Sequence, residues 1–361
     1  MWKKTPDGSI EDATGRVIYF SATRFEHDIG VGDCCFICGA RPGQKIFNDE
    51  HVFPEWLLRR YNLFDRKITL PNEQGLRYGT YTVPCCAACN SMMGDYFEVP
   101  ISEAVKGGGD SIRALIHSDP LKVYVWLALI YLKTHLKDRA LRVHLDARKG
   151  TEKIAAEYDW ADLHHIHCLV RYFYNGAQVE RGAIGSFLTM ETNNAGMTER
   201  FDYSDLYLAQ TATITLDDTV MFAVMNDSGG ALCNYTGHLD KITGPLSHIQ
   251  TKEVMVDLAF LNLHLKERTV FQTECDMINE RCRIIATRPA APELEPLDPL
   301  VKGQMMLKAL AGILPHMQMP GFHNRDQIAE AIASGQMSYL IGDDGKFITE
   351  SWNPLAESSE I

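Results

Sequence analysis

Two cysteine pairs, Cys35-x-x-Cys38 and Cys86-x-x-Cys89, enclose a Glu50-His51-x-x-Pro54 segment, and the second pair runs directly into Asn90. A CxxC turn sets two thiolates on one tight loop, and two such turns supply the four soft ligands of a tetrahedral structural zinc. The gap between the pairs exceeds the ~15–20 residues of a plain zinc ribbon, so the module reads as a clip with a large insertion. Cys34 and Cys85 adjoin the pairs and can stand in for a neighbour as ligand. Such a clip closes a loop and does no chemistry itself. The chemistry falls to the residues it gathers: a carboxylate, an imidazole and a carboxamide. Glu and Asn offer hard oxygen ligands suited to Mg²⁺ or Mn²⁺, unlike the thiolates beside them. An imidazole with a pKa near ~6.5 accepts a proton at neutral pH. Phosphodiester hydrolysis needs both, an activated water and stabilisation of the charge that builds on phosphate.

An acidic residue followed by His between two CxxC pairs, with Asn directly after the second, resembles the HNH (His-Me finger, ββα-metal) nucleases. It is most similar to their zinc-clipped branch, represented by phage endonuclease VII. The resemblance covers residues 34–98. It implies a strand carrying Glu50-His51 and a helix carrying Asn90, face to face around one catalytic divalent metal. In that frame His51 is the general base that takes a proton from water. Glu50 and Asn90 ligate Mg²⁺ or Mn²⁺, while Cys35, Cys38, Cys86 and Cys89 hold structural zinc, and the substrate is DNA. The chain departs from the pattern twice. The acidic ligand is Glu50 where Asp is common, with Asp49 beside it as a competitor. The position of the central Asn holds Tyr81, and Asn72 is the nearest asparagine upstream. Glu98 either faces the same site or is a solvated carboxylate. Arg59 and Arg60 either grip phosphate or form a solvated helix face.

The elements that must position these groups are legible in outline. Residues 1–33 read as a strand-rich lead-in, with Arg16 to Ser21 its best strand. Pro54 to Tyr61 starts with proline and carries Trp56, Leu57 and Arg60 at helical spacing. Tyr78 to Val83 reads as a strand entering the second cysteine turn, and a helix starts near Asn90 or Ser91. Lys106 to Asp110 is a linker without the lysine and spacing of a P-loop. Ser118-Asp119-Pro120 opens a buried helix over Leu121 to Lys137 with Trp126, Leu129 and Ile130 inward, and another helix covers Trp160 to Tyr174. From Phe201 the pattern alternates. Thr211 to Leu216, Thr219 to Met225 and Ala231 to Tyr235 read as an antiparallel meander with turns at Asp217-Asp218 and Asn226 to Gly230. Arg288 to Leu300 is a proline-rich, semi-rigid linker, followed by a helix over Val301 to Met317 and a polar AESSEI end.

The expected class is therefore α+β. A zinc-clipped ββα-metal domain occupies residues 1–100 and a mixed helical and antiparallel-β region residues 101–288. A linker over 289–300 leads to a helical tail over 301–361. With 361 residues at 45% hydrophobic composition, the chain can build more than one core. No apolar run is long enough for a membrane span, and the N-terminus lacks a signal-peptide core, which points to the cytoplasm. Of the ten cysteines, four sit in the CxxC turns. Cys168, Cys233, Cys275 and Cys282 read as reduced core residues. His164, His165 and His167 are not spaced to share one helix face, so they read as partly buried rather than as a metal site.

Net charge is −12 and the deficit is concentrated after residue 100, so the global field repels polyanions. Nucleic-acid contact would need a local patch such as Arg59, Arg60, Arg66, Lys67 and Arg77. The leading expectation is a metal-dependent endonuclease acting on DNA. Its acidic C-terminal region would regulate or target it, binding a protein partner or a second copy, as suits phage defence or a mobile element. The alternative is a non-catalytic zinc module used for interaction, with Glu50 and His51 in structural roles.

Overall fold

A computed structural model describes residues 1–349 except 73, 145, 194–199, 318 and 320. The chain mixes helices and short antiparallel sheets and divides into two compact units, neither of them contiguous. The first comprises Met1–Gly107, Ala114–Ala183 and Val270–Thr287, and the second Gly108–Arg113, Ile184–Thr269 and the chain from Arg288 onward. The chain does change units near two of the expected divisions, after Gly107 and after Thr287, but Ala114–Ala183 and Val270–Thr287 group with the first unit, and there is no division near residue 300. The reason is burial: the helix expected to open a second domain is the core of the first unit.

That helix, Pro120–Asp138, is capped by Asp119, whose side chain accepts from the Lys122 amide. Trp126, Leu129 and Ile130 are inward as expected, but so is every residue from Val123 to Leu136. A helix covered all round is a core element, and Lys133, His135 and Asp138 along it must find polar partners inside. Among the described residues no single helix is long and apolar enough to cross a membrane.

The strands that frame the site are Phe47–His51 and Thr82–Cys86, paired antiparallel from Phe47 opposite Cys86 to His51 opposite Thr82. Helix Ala87–Met93 follows directly. It starts earlier than expected from Asn90, because Cys86 is still extended and the chain turns helical immediately after it. Between the strands lie helix Glu55–Arg60, starting after Pro54, and a hairpin of Lys67–Thr69 with Gly75–Arg77. The strand expected over Tyr78 to Val83 begins only at Thr82. Tyr78–Thr80 is instead a 3₁₀ turn, its Gly79 amide bonded to the Phe64 carbonyl at 3.1 Å. A Cβ on Gly79 would meet Phe64 at 3.0 Å, so glycine permits this approach.

The first unit is completed by the small sheet ending in Val17–Tyr19, helix Trp160–Val170 and the hairpin Val270–Asp276 with Arg281–Thr287. That hairpin corrects the cysteine reading. Cys275 and Cys282 are direct cross-strand partners and are joined by a disulfide. Sequence spacing hides this, because a hairpin register rather than a motif brings them together. Cys168 is buried as expected, whereas Cys233 is exposed.

In the second unit Phe201–Leu206, Thr211–Leu216, Thr219–Val224 and Phe187–Glu191 form an antiparallel sheet in that order. Asp217 takes the left-handed conformation at the expected turn. The two central strands do not alternate in burial; every position is covered. The expected third strand, Ala231 to Tyr235, is helix Gly230–Leu239. The Asp227 carboxylate accepts from the Gly229 and Ala231 amides, which stops the strand and caps the helix. Ala231 and Tyr235, one turn apart, then bury together against helix His248–Leu263. Helix Pro299–Ala309 is shorter than the expected Val301 to Met317. Its N-cap, Asp298, lies inside the expected linker. It packs on His248–Leu263 and on Arg325–Ala333, so the expected tail belongs to this core. The AESSEI end lies outside the described residues.

Candidate metal centre and the Glu50-His51 pair

The first cysteine turn is a tight knuckle. The Gly39 amide donates to the Cys35 carbonyl and the Cys35 amide to the Ala40 carbonyl, both at 2.8 Å, with Gly39 at φ +75°. A Cβ there would lie 2.7 Å from the Phe20 ring, so both the conformation and the packing require glycine. Two side chains of the Trp160–Tyr174 region brace the knuckle from behind. His167 Nε2 lies 2.8 Å from the Phe36 carbonyl, and the fully buried Arg171 donates to the carbonyls of Ile37 and Val17, both at 2.6 Å. His164 and His165 likewise meet carbonyls, those of Phe20 and Ala183. The three histidines are structural, as their spacing suggests.

The second turn spans the end of strand Thr82–Cys86 and the first turn of the next helix. The sulfurs of Cys35, Cys38, Cys86 and Cys89 are all buried and lie within 4.8 Å of one another, a cluster that can hold a metal ion and suits structural zinc. Cys85 stands behind it, its sulfur 3.7 Å from that of Cys35. Lys45 Nζ donates to Cys38 Sγ at 3.4 Å. The crowding separates the thiols electrostatically. Hydrogen bonds from Cys38, Cys85 and Cys89 drive the Cys35 thiol far below its ordinary pKa, and bonds shared with Cys35 drive Cys85 and Cys89 far above theirs. Four sulfurs this close ionise together only around a cation.

Glu50 and His51 end the first site strand. Glu50 is 6% exposed, and its Oε1 accepts from Lys133 Nζ at 2.8 Å. The same ammonium donates to the His51 carbonyl at 2.7 Å. One lysine, itself 1% exposed, thus pins both consecutive residues from the core helix. The His51 ring is half-buried and meets Phe64 edge-on with centroids 6.0 Å apart. Asn90 is half-buried in helix Ala87–Met93, next in sequence to Cys89. Strand alternation sends Asp49 to the face opposite Glu50, where it is exposed. Glu98 is half-buried, and its carboxyl is pushed up to about 7, chiefly by burial. Glu50 and Glu55 add to the rise and Lys133 opposes it. The carboxyl therefore feels the charges of the Glu50–Lys133 pair.

Other candidates lie elsewhere. Asn72 donates to the carbonyls of Arg142 and Val143 at 2.9 and 3.0 Å, so its carboxamide holds a loop. Tyr81 is 1% exposed, with its hydroxyl bonded to Asp138 at 3.3 Å. Arg59 pairs with Glu55 on an exposed helix face, and Arg60 lies over the Tyr61 ring. Lys133 was the residue missed from sequence. Its signal was a lone lysine inside an apolar helical run, VYVWLALIYLK. Comparison with models of protein families, with curated proteins and with solved structures finds no significant match.

Proposed function

We propose that residues 34–98 form a metal-dependent nuclease centre of HNH type that hydrolyses phosphodiester bonds in DNA, with the sulfur cluster as a structural zinc site. The observation that carries the reading is local. Two antiparallel strands and a helix frame the segment, Glu50-His51 ends the first strand, and Asn90 follows the cluster cysteine Cys89 on the helix. In this reading the His51 imidazole takes the proton of the attacking water. Glu50 through the oxygen not given to Lys133, and Asn90 through its carboxamide oxygen, would hold Mg²⁺ or Mn²⁺. A bound divalent ion supplies charge neutralisation at the phosphate and the leaving oxygen. Lys133 fixes the orientation of Glu50 through their hydrogen-bonded ion pair.

A second reading has its own observation. A buried Glu50–Lys133 pair is also what a purely structural ion pair looks like, and the module would then be a zinc-bound interaction surface. Plasmid incubation with Mg²⁺ or Mn²⁺ separates the two. The nuclease reading expects cleavage by the native protein and loss of at least about a hundredfold in His51→Ala, with zinc content and melting temperature retained. Equal cleavage by both proteins refutes it. The acidic remainder of the chain is proposed as the part that binds a protein partner or a second copy, since its charge disfavours DNA.

A further inference from the structure

Beside the site strands the first unit holds an open cavity of about 570 Å³. Asp49 and Thr82 contribute to its wall, and Thr82 is the cross-strand partner of His51. Lys137 and Arg139 come from the end of the core helix, with Lys137 one turn beyond Lys133. Lys153 also lines the cavity, as does the Asp33 carboxylate. The cavity therefore shares both a strand and a helix with Glu50-His51, and lies on the strand face of Asp49, which alternation gives to His51 and not to Glu50.

Three cations converge here in a protein of net charge −12. Arg139 donates to the Ile29 carbonyl and has the Asp33 carboxylate of the same wall as its counter-charge, whereas Lys153 donates to the Ala140 carbonyl at 3.0 Å. Lys137 is half-buried and makes no hydrogen bond or ion pair among the described residues. Its pKa is lowered by burial, with only Asp49 pulling the other way. A partly desolvated ammonium without a bonded partner is stabilised by an anion that reaches it. The floor is apolar, lined by Leu136 and Trp160, which are 3% and 7% exposed. Cations above an apolar floor suit a ligand that is anionic at one end and flat and apolar at the other. The volume accommodates about one or two nucleotides and excludes a double helix.

We propose that this cavity binds a single-stranded segment of nucleic acid on the His51 side of the strand, with phosphate on Lys137 and Lys153 and a base over the Leu136–Trp160 floor. The proposal rests on the nuclease reading and names the substrate form that reading leaves open. Local strand opening, or a branch or flap, would deliver such a segment.

The test uses the full-length, zinc-loaded protein carrying His51→Ala, so that binding is measured without cleavage. The probes are a labelled oligodeoxythymidine, its duplex with oligodeoxyadenosine, and dTMP as competitor. The single strand is expected to bind more tightly than the duplex. Adding Lys137→Ala and Lys153→Ala is expected to weaken it about tenfold or more and to reduce the salt slope by about one to two. Lys137→Gln, which keeps the stem, guards against a folding defect and should weaken binding in the same direction at unchanged zinc content and melting temperature. Unchanged affinity in these variants, preference for duplex, or competition by dTMP as effective per nucleotide as the strand itself would each overturn the proposal. Plasmid cleavage by the otherwise native protein separates the two claims. His51-dependent cleavage with a KM indifferent to Lys137 and Lys153 removes the groove and leaves the nuclease. Lysine-dependent strand binding without His51-dependent cleavage does the reverse.

Discussion

Lys133 reaches Glu50 from a helix far along the chain, so the acidic member of the pair is held by a residue outside the cysteine clip. Both partners are almost wholly buried. Removing only the lysine leaves an uncompensated carboxylate in the core, at a cost of about 3–5 kcal/mol, whereas removing both charges costs far less. Lys133→Met should therefore destabilise the first unit by about that amount in chemical denaturation, and Lys133→Met with Glu50→Gln should recover much of the loss. Additive destabilisation would show that the two side chains do not depend on each other. Glu50, His51 and Asn90 could be named as candidates in sequence because residue type and spacing are local properties. Lys133 was not, because nothing local tells a core lysine which carboxylate it will meet.

At the scale of elements, the clip acts through the helix it anchors. Cys86 ends a strand and Cys89 lies in the first turn of Ala87–Met93, so metal removal should loosen the helix that carries Asn90. On the proposed nuclease reading, stripping the structural metal with a chelator and then restoring Mg²⁺ alone should leave cleavage abolished. It should also raise amide exchange in residues 34–93, with both effects reversed by zinc. Retained exchange protection would mean that the cluster is not structural. The Val270–Asp276 and Arg281–Thr287 hairpin gives a second check. Alkylation of the unfolded, unreduced, metal-free protein should label every cysteine except Cys275 and Cys282. Labelling of that pair would contradict the bond. Periodicity found the Pro120–Asp138 and Trp160–Val170 helices and the Thr211–Val224 pair of strands, but not the His248–Leu263 helix, and it read Ala231 to Tyr235, part of helix Gly230–Leu239, as a strand. There Asp227 and its cap outweigh the local strand-like pattern.

Across the whole molecule, the second unit offers a pH signature independent of any metal. Glu253 is 2% exposed on helix His248–Leu263 and accepts from Ser338 and from the Tyr339 and Leu340 amides. Its pKa is pushed up to about 7, chiefly by burial, then by Asp257, against the hydrogen bond from Ser338 and the charge of Lys302. Folding thus favours the protonated form. The stabilising contribution is complete below the unfolded carboxyl pKa of about 4.3 and is lost as pH rises through 7. Glu253→Gln should flatten stability between about pH 5 and 7.5, measured by denaturation across that range. An unchanged profile would mean that Glu253 is ionised throughout.

Composition and the paired cysteines by themselves pointed to a four-cysteine cluster able to hold a metal, to the candidate groups Glu50, His51 and Asn90, and to an acidic, mixed α and β chain. Those properties depend on residue type and short spacing, which are local. Only the tertiary structure decided that Lys133 holds Glu50, that Cys275 bonds Cys282, and that the chain from Arg288 onward shares a core with residues 184–269. Each of these joins segments through burial. A buried charge or an uncovered apolar face must be matched by whatever the fold brings near, at any distance along the chain.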